Sequence, residues 1–318
     1  MQAQNRLQHM PISFFAMVMG LAGLTLAWEK ASEIYHFNSV IFTTLLVQSI
    51  LVFLVLAAMY LYKGVRFRDA IQQEWANPVK MNFIPAISIS LLLFSVAFLS
   101  ISVKVSLILW ATGTILHMVI SMMVMNSWLH HDKFEIHHMN PAWFIPAVGN
   151  VIVPLAGVPL GYPELSWFFF SIGMMFWLIL MVIVFNRIIF HSPMPEKLLP
   201  TMFILIAPPA VGFLSYLKLT GSLDAFAQVL FNFALFLTIL LLSQLPRFAR
   251  LPFYMSWWAY SFPLAAMSIA SMIMGQASGK AFYGYIGLGL LFSLSALVVL
   301  LFIKTMKAAQ NRKICVED

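Results

Sequence analysis

Long apolar runs separated by short polar tracts set the organisation of this chain. A helix needs about 20 apolar residues to cross a hydrocarbon core of about 30 Å. By that measure ten runs predict membrane spans, over 11–28, 37–62, 82–101, 105–128, 142–160, 164–190, 200–219, 224–244, 257–274 and 279–303. Residues 82–128 are almost continuously apolar, and the Ser100–Lys104 stretch divides them, because one helix of that length would overshoot the bilayer. The first run ends in Trp28 and Glu29 with no small-residue cleavage site, so it reads as a helix that stays rather than a removable leader.

Ten spans put both termini on one side. Fourteen of the 18 Lys and Arg residues fall on that side, and only Lys30, Lys104, Lys218 and Lys280 fall on the other. The excess of basic residues on the inner side predicts cytoplasmic termini for a multi-pass protein of the bacterial inner membrane.

The prolines sort the predicted helices into two classes. Nine of the 16 lie in odd-numbered spans, the rest lie in connecting segments, and no even-numbered span holds one. Proline removes a backbone donor and kinks a helix, and inside a membrane the freed groups have to be met by neighbours or by a wet cavity. The odd spans are therefore predicted to be buried, with their freed carbonyls turned toward neighbouring helices. They are also shorter and carry small residues such as Gly20, Gly23, Ser88, Gly149, Gly212 and Ser261. The even spans are longer and aliphatic or aromatic along most of their length, as in 168–185, which suits a lipid-facing shell.

The expected architecture is one all-helical domain over 1–318, built as five hairpins in a pseudo-fivefold ring. Kinked inner helices surround a central pore and straight outer helices enclose them. Pro85, Pro146, Pro208 and Pro263, spaced 61, 62 and 55 residues apart, mark the repeat. A plain bundle with its centre filled by side chains is the competing arrangement.

Composition narrows the class. Hydrophobic residues make up 62% of the 318 and charged residues only 9%, against about 25% charged in ordinary soluble domains. A soluble enzyme, a disordered tail and a disulfide scaffold are all excluded. The net charge of +7 follows membrane topology and gives no reason to expect a nucleic-acid partner. A single cysteine, Cys315, cannot build an internal disulfide. No Walker A, GxSxG, HExxH or dinucleotide fingerprint is present, so neither an enzyme nor a cofactor is expected.

Three segments carry a resemblance: FIPAVGN (144–150), IAPPAVGF (206–213) and WWAYSFPLAAMSIASM (257–272). Together with the ten-span layout they are similar to the tellurite-resistance/dicarboxylate-transporter (TehA) family, which includes the slow anion channels of plant guard cells. The resemblance implies a homotrimer with one pore per protomer, small inorganic anions such as chloride and nitrate as the permeant species, and a phenylalanine before the proline of the ninth helix as the plug. That residue here is Phe262, ahead of Pro263. Where many relatives carry glycine in the first helix, FFAM (14–17) has Ala16.

Among 29 phenylalanines, ordinary packing is the default reading of Phe262. Its place before a helix proline, which biases residue 262 away from helical geometry, and the resemblance together favour a gate. The expected pore lining comes from Gly20, Ser88, Gly149, Asn150, Gly212 and Ser261, with Lys218 near an outer vestibule. As drawn, the odd spans hold no other charged residue or histidine, which argues against proton coupling and against a cation pore ringed by acids. His117 lies within an even span and reads as a hydrogen-bonded packing residue, with a proton site as the alternative. Asn232 reads as interhelical glue. The loop HHDKFEIHH (130–138) is rich in histidine but has no recognised ligand spacing, so no metal is assigned to it. A carrier for tellurite or C4-dicarboxylates is the alternative function, and a non-conducting scaffold is a third.

Overall fold

The computed structural model describes residues 6–130 and 133–316. Among these there is no strand. Nine helices are long and apolar enough to cross a membrane. They are α1 (Ile12–Tyr35), α2 (Val40–Arg66), α3 (Lys80–Phe98), α4 (Val103–His130), α6 (Pro163–Phe190), α7 (Glu196–Thr220), α8 (Ala225–Leu242), α9 (Met255–Ser278) and α10 (Ala281–Gln310). Between α4 and α6 lies a shorter apolar helix, α5 (Pro141–Gly157).

Burial separates two populations. In the most apolar stretch of α1, α3, α7 and α9, 72–89% of residues are buried, against 22–39% in the long even-numbered helices. Every described residue of α5 from Pro141 to Pro154 is buried as well. Each odd helix packs on the even helix that follows it. The odd helices also touch one another in order, α1 on α3, α3 on α5, α5 on α7, α7 on α9, and α9 back on α1.

The prolines act differently from simple kinks. Each odd helix begins as a 3₁₀ segment and converts to α; in α3, α5, α7 and α9 a proline sits at the conversion, whereas in α1 Pro11 precedes the 3₁₀ turn Ile12–Phe14. Pro85 immediately precedes the α segment Ala86–Phe98, Pro208 and Pro209 lie in the first turn of Ala207–Thr220, and Pro263 lies in the first turn of Ser261–Ser278. In α5 the pattern occurs twice. Phe144–Val148 contains Pro146, a 3₁₀ turn follows over Gly149–Ile152, and Val153–Gly157 contains Pro154. A missing N–H costs least in a first turn, where an intrahelical acceptor is least available. Phe262 is consequently helical, contrary to the bias expected of a residue before proline. The 3₁₀ run Glu196–Ile206 is 11 residues long, well beyond the usual three or four.

The freed carbonyls are met from neighbouring helices. Ser121 of α4 donates to Pro146 O at 2.6 Å, Trp110 Nε1 of α4 donates to Val153 O at 3.0 Å, and Ser215 of α7 donates to Val151 O. These bonds serve both breaks in α5.

Some boundaries differ from the sequence reading. The first helix runs on to Tyr35 and carries Glu29, Lys30 and Glu33 in its last turns, where Ser100 Oγ donates to Glu29 at 2.6 Å. Pro163 opens α6 at its first position, where proline is well tolerated. The division of 82–128 falls at 99–102.

Both termini lie at one end of the bundle, where Arg6 donates to the Ile314 carbonyl. A short helix, Arg68–Ala76, docks there through a buried ion pair. Lys63 Nζ lies 3.2 Å from Glu74 Oε1, with the two side chains 2% and 6% exposed. Tyr60 donates to the other Glu74 oxygen at 2.7 Å, Ile12 N donates to Oε1 at 3.1 Å, and Lys63 also donates to Met10 O at 2.8 Å. This network ties the start of α1 to the end of α2. Replacing Lys63 by Met leaves a buried carboxylate without its cation. The expected loss is about 3–5 kcal/mol, read as a lower unfolding midpoint in detergent, and the double variant Lys63→Met/Glu74→Leu recovers most of it. Equal stability of Lys63→Met and wild type would show the pair to be dispensable.

Candidate functional site

All five odd helices contribute to one cavity of about 70 Å³, and no even helix does. Its wall holds Ala16 and Met19 from α1, Phe83 and Ile89 from α3, and Phe144, Ile145, Val148, Gly149, Val151 and Ile152 from α5. Ile204, Ala207, Pro208 and Val211 come from α7, and Trp258, Ala259, Phe262 and Pro263 from α9. Every one of these side chains is apolar apart from the Trp258 indole, whose Nε1 donates to Thr305 at 3.0 Å. A cavity this small has room for a few waters, and an apolar lining offers them almost no hydrogen bonds. Such a constriction can block ions by dewetting alone.

Phe262 reaches this wall because α1 makes space beside it. A Cβ placed on Gly23 would lie 3.2 Å from Phe262 Cδ2 and 2.9 Å from Ala265 Cβ. One turn earlier, a Cβ on Gly20 would collide with Ser261 Oγ at 2.0 Å. Gly20 and Gly23 thus form a notch into which α9 settles. The phenylalanine itself remains half-buried.

The structure distributes the expected lining residues unevenly. Phe262 and Gly149 are on the cavity wall, as are Pro208 and Pro263, whereas Pro85 and Pro146 are not. Gly20, Ser88, Asn150, Gly212 and Ser261 are not on it either, because they occupy contacts between helices. Gly20 and Ser261 face each other, and a Cβ on Gly212 would lie 3.0 Å from Met174 Sδ of α6. Asn150 Nδ2 donates to Ala147 O at 2.7 Å within its own helix. Lys218 is exposed at the end of α7 remote from the termini, with Lys30 and Glu33 as its electrostatic neighbours. Asn232 is exposed and bonds Gln228 O of its own helix at 2.8 Å, so it joins no second helix.

Ser88 instead holds His117. Its Oγ donates to Pro85 O at 2.8 Å, which leaves its lone pairs to accept from His117 Nδ1 at 2.9 Å. Nε2 is then the unprotonated nitrogen, and it is buried without a partner. It rests against Gly149, directly behind the cavity wall. His117 is thus a fully buried packing residue that locks α3 and α5 to α4.

In the loop after α4, His131 and Asp132 lie outside the described residues. Glu135 and His138 cap each other's backbone there. Cys315 lines a second, larger cavity at the termini end, and burial raises its thiol pKa, which disfavours the reactive thiolate.

Comparison with known proteins supplies the family. The profile of the SLAC1 family, described as voltage-dependent anion channels, matches residues 9–306. The chain belongs to the SLAC1 anion-channel family. It is 28% identical to the S-type anion channel SLAH2 of Arabidopsis thaliana, over 82% of this chain and 52% of that protein. It is 26% identical to the tellurite resistance protein TehA homolog of Haemophilus influenzae, over 81% and 79%. An uncharacterized transporter of Methanocaldococcus jannaschii matches at 26% over 95% and 96%. The chain spans about half the length of the plant channels SLAH2 and SLAH3. SLAC1-family membership agrees with the resemblance read from the three segments.

Residues such as Phe144, Phe83 and Met19 escaped the sequence reading because one apolar side chain among many carries no mark of facing an axis. Gly23 was legible only as a small residue three positions after Gly20. Gly149→Ala places a methyl 2.5 Å from His117 Cε1 and 2.8 Å from Ile89 Cδ1. The expected cost is about 1–3 kcal/mol in unfolding free energy, partly recovered in Gly149→Ala/His117→Ala. A Gly149→Ala protein as stable as wild type would remove the packing role assigned to His117.

Proposed function

We propose that the chain is an anion-selective channel for small inorganic anions of the chloride and nitrate kind. In this reading ten helices cross the bilayer as five hairpins in a pseudo-fivefold ring. The odd helices line a central pore, and Phe262 closes it. The single observation that carries the reading is the cavity walled by all five odd helices and by no even one, with Phe262 on its wall. The closed order of contacts from α1 through α9 and back supports the ring.

The mixed backbone of α5 supports the tenth span. A 3₁₀ residue rises about 2.0 Å against 1.5 Å in an α-helix. Its 17 residues, seven of them 3₁₀, reach about 29 Å by those rises, close to the hydrocarbon thickness. The distribution of Lys and Arg supports cytoplasmic termini in a bacterial inner membrane. The family resemblance favours a homotrimer, and the broad apolar faces of the even helices offer surface for lipid and for neighbouring subunits. The function is non-enzymatic and needs no cofactor or metal.

An apolar collar fits channel gating because it binds no anion. It delays a hydrated ion only while it stays narrow. Removing the Phe262 ring widens the collar. Phe262→Ala is expected to raise chloride current in planar bilayers by about tenfold or more, equivalent to at least about 1.4 kcal/mol off the barrier. Its reversal potential is expected to follow the chloride gradient. A well-folded Phe262→Ala protein with unchanged current would overturn the gate.

A second reading is a carrier, for tellurite as the name of the Haemophilus relative suggests, or for C4-dicarboxylates as the family resemblance suggests. A carrier would saturate and show counterflow, and Phe262→Ala would not turn it into an ohmic pore.

A further inference from the structure

At the end of the bundle that holds both termini, the apolar cavity meets a second one of about 620 Å³. Ala16, Phe83 and Ala259 belong to both walls, so the large cavity is the antechamber of the small one. Lysines converge on it from separate parts of the chain. Lys80 opens α3, Lys197 opens α7, Lys304 and Lys307 lie near the end of α10, and Lys313 follows that helix. Among the described residues on its wall there is no Asp or Glu. Lys304 is steadied by Trp257, with Nζ 5.3 Å from the ring centroid, and Lys197, Lys307 and Lys313 are exposed.

Membrane topology explains an excess of cations at this end, but not their convergence. Arg66 ends α2, and Arg68, Lys133, Arg247 and Arg250 come from connecting segments at the same end, yet none of them is on this wall. A recess lined by one sign of charge focuses its potential and concentrates counter-ions. A monovalent anion offsets one lysine at a time, whereas an anion with three or four charges along a short chain spans several at once. The next chamber, about 70 Å³ and almost wholly apolar, has no means to solvate such a charge.

We propose that this vestibule is a binding site for small polyphosphate anions, of the tripolyphosphate or nucleoside-triphosphate class. They enter from the termini end, are held by Lys197, Lys304, Lys307 and Lys313, and block conduction because the apolar collar refuses them. The binding stands on the vestibule alone, while the block rests on the channel reading above.

Titration of the purified full chain in detergent with sodium tripolyphosphate, followed by calorimetry, tests the site. Saturable binding is expected. It should weaken by about tenfold or more in Lys197→Gln/Lys304→Gln/Lys307→Gln and stay unchanged in Arg247→Gln/Arg250→Gln, which removes charge from the same end but outside the recess. Should the triple variant not fold, Lys197→Gln and Lys307→Gln singly, both at exposed positions, carry the same comparison. Equal weakening in the lysine and arginine variants would reduce the effect to diffuse charge and overturn the site. Binding of phosphatidylglycerol added to the micelles, with none of tripolyphosphate, would overturn it in favour of a lipid headgroup. A magnesium-free nucleoside triphosphate binding as tightly as tripolyphosphate is expected if the phosphate chain carries recognition, and failure of both to bind overturns the proposal. In bilayers, tripolyphosphate on the termini side should block Phe262→Ala chloride current, and the three lysine changes should relieve the block. Saturable binding with unblocked current overturns the blocking role. Absence of any Phe262→Ala current counts against the channel reading alone, since the calorimetric arm still decides the site.

Discussion

Irregular backbone inside a membrane survives only where every freed polar group finds a partner. The architecture follows from that constraint. Helix α5 is interrupted twice, and its carbonyls at Pro146, Val151 and Val153 are accepted into bonds from Ser121, Ser215 and Trp110 on the helices around it. A helix that relies on its neighbours in this way cannot face lipid, so the broken helices are gathered inside and the unbroken ones enclose them. The remaining inner surface is the apolar one that the cavity displays.

Small residues serve this arrangement at the seams between helices. Gly20 against Ser261, Gly23 against Phe262, Gly149 against His117 and Gly212 against Met174 each let one helix sink into the next. Close approach of backbones is the main attractive device available where lipid is as apolar as the side chains. The first two seams settle α1 onto α9, and the other two settle α5 and α7 onto the outer helices α4 and α6.

Along the axis the chemistry changes sharply. The termini end is broad and lysine-lined, while the centre is narrow and apolar. On the channel reading proposed above, charge gathers anions where water is plentiful, and size and dewetting select where it is scarce.

The division between inner and outer helices was legible before any coordinates. Proline is incompatible with an unassisted lipid-facing helix, so its confinement to odd spans, apart from Pro163 at the first position of α6, already sorted the two classes. What proline does locally was not legible. At Pro85, Pro208 and Pro263 it marks a change from 3₁₀ to α rather than a bend, because the alternatives differ in hydrogen-bond register and not in residue type. Nor could composition say which way a small or apolar side chain points. Gly149 and Phe262 face the axis while Gly20, Ser88 and Ser261 face neighbours, a difference of helix rotation that is set by how five helices pack together. Hydropathy and backbone chemistry are written residue by residue, whereas azimuth exists only once the partners are in place.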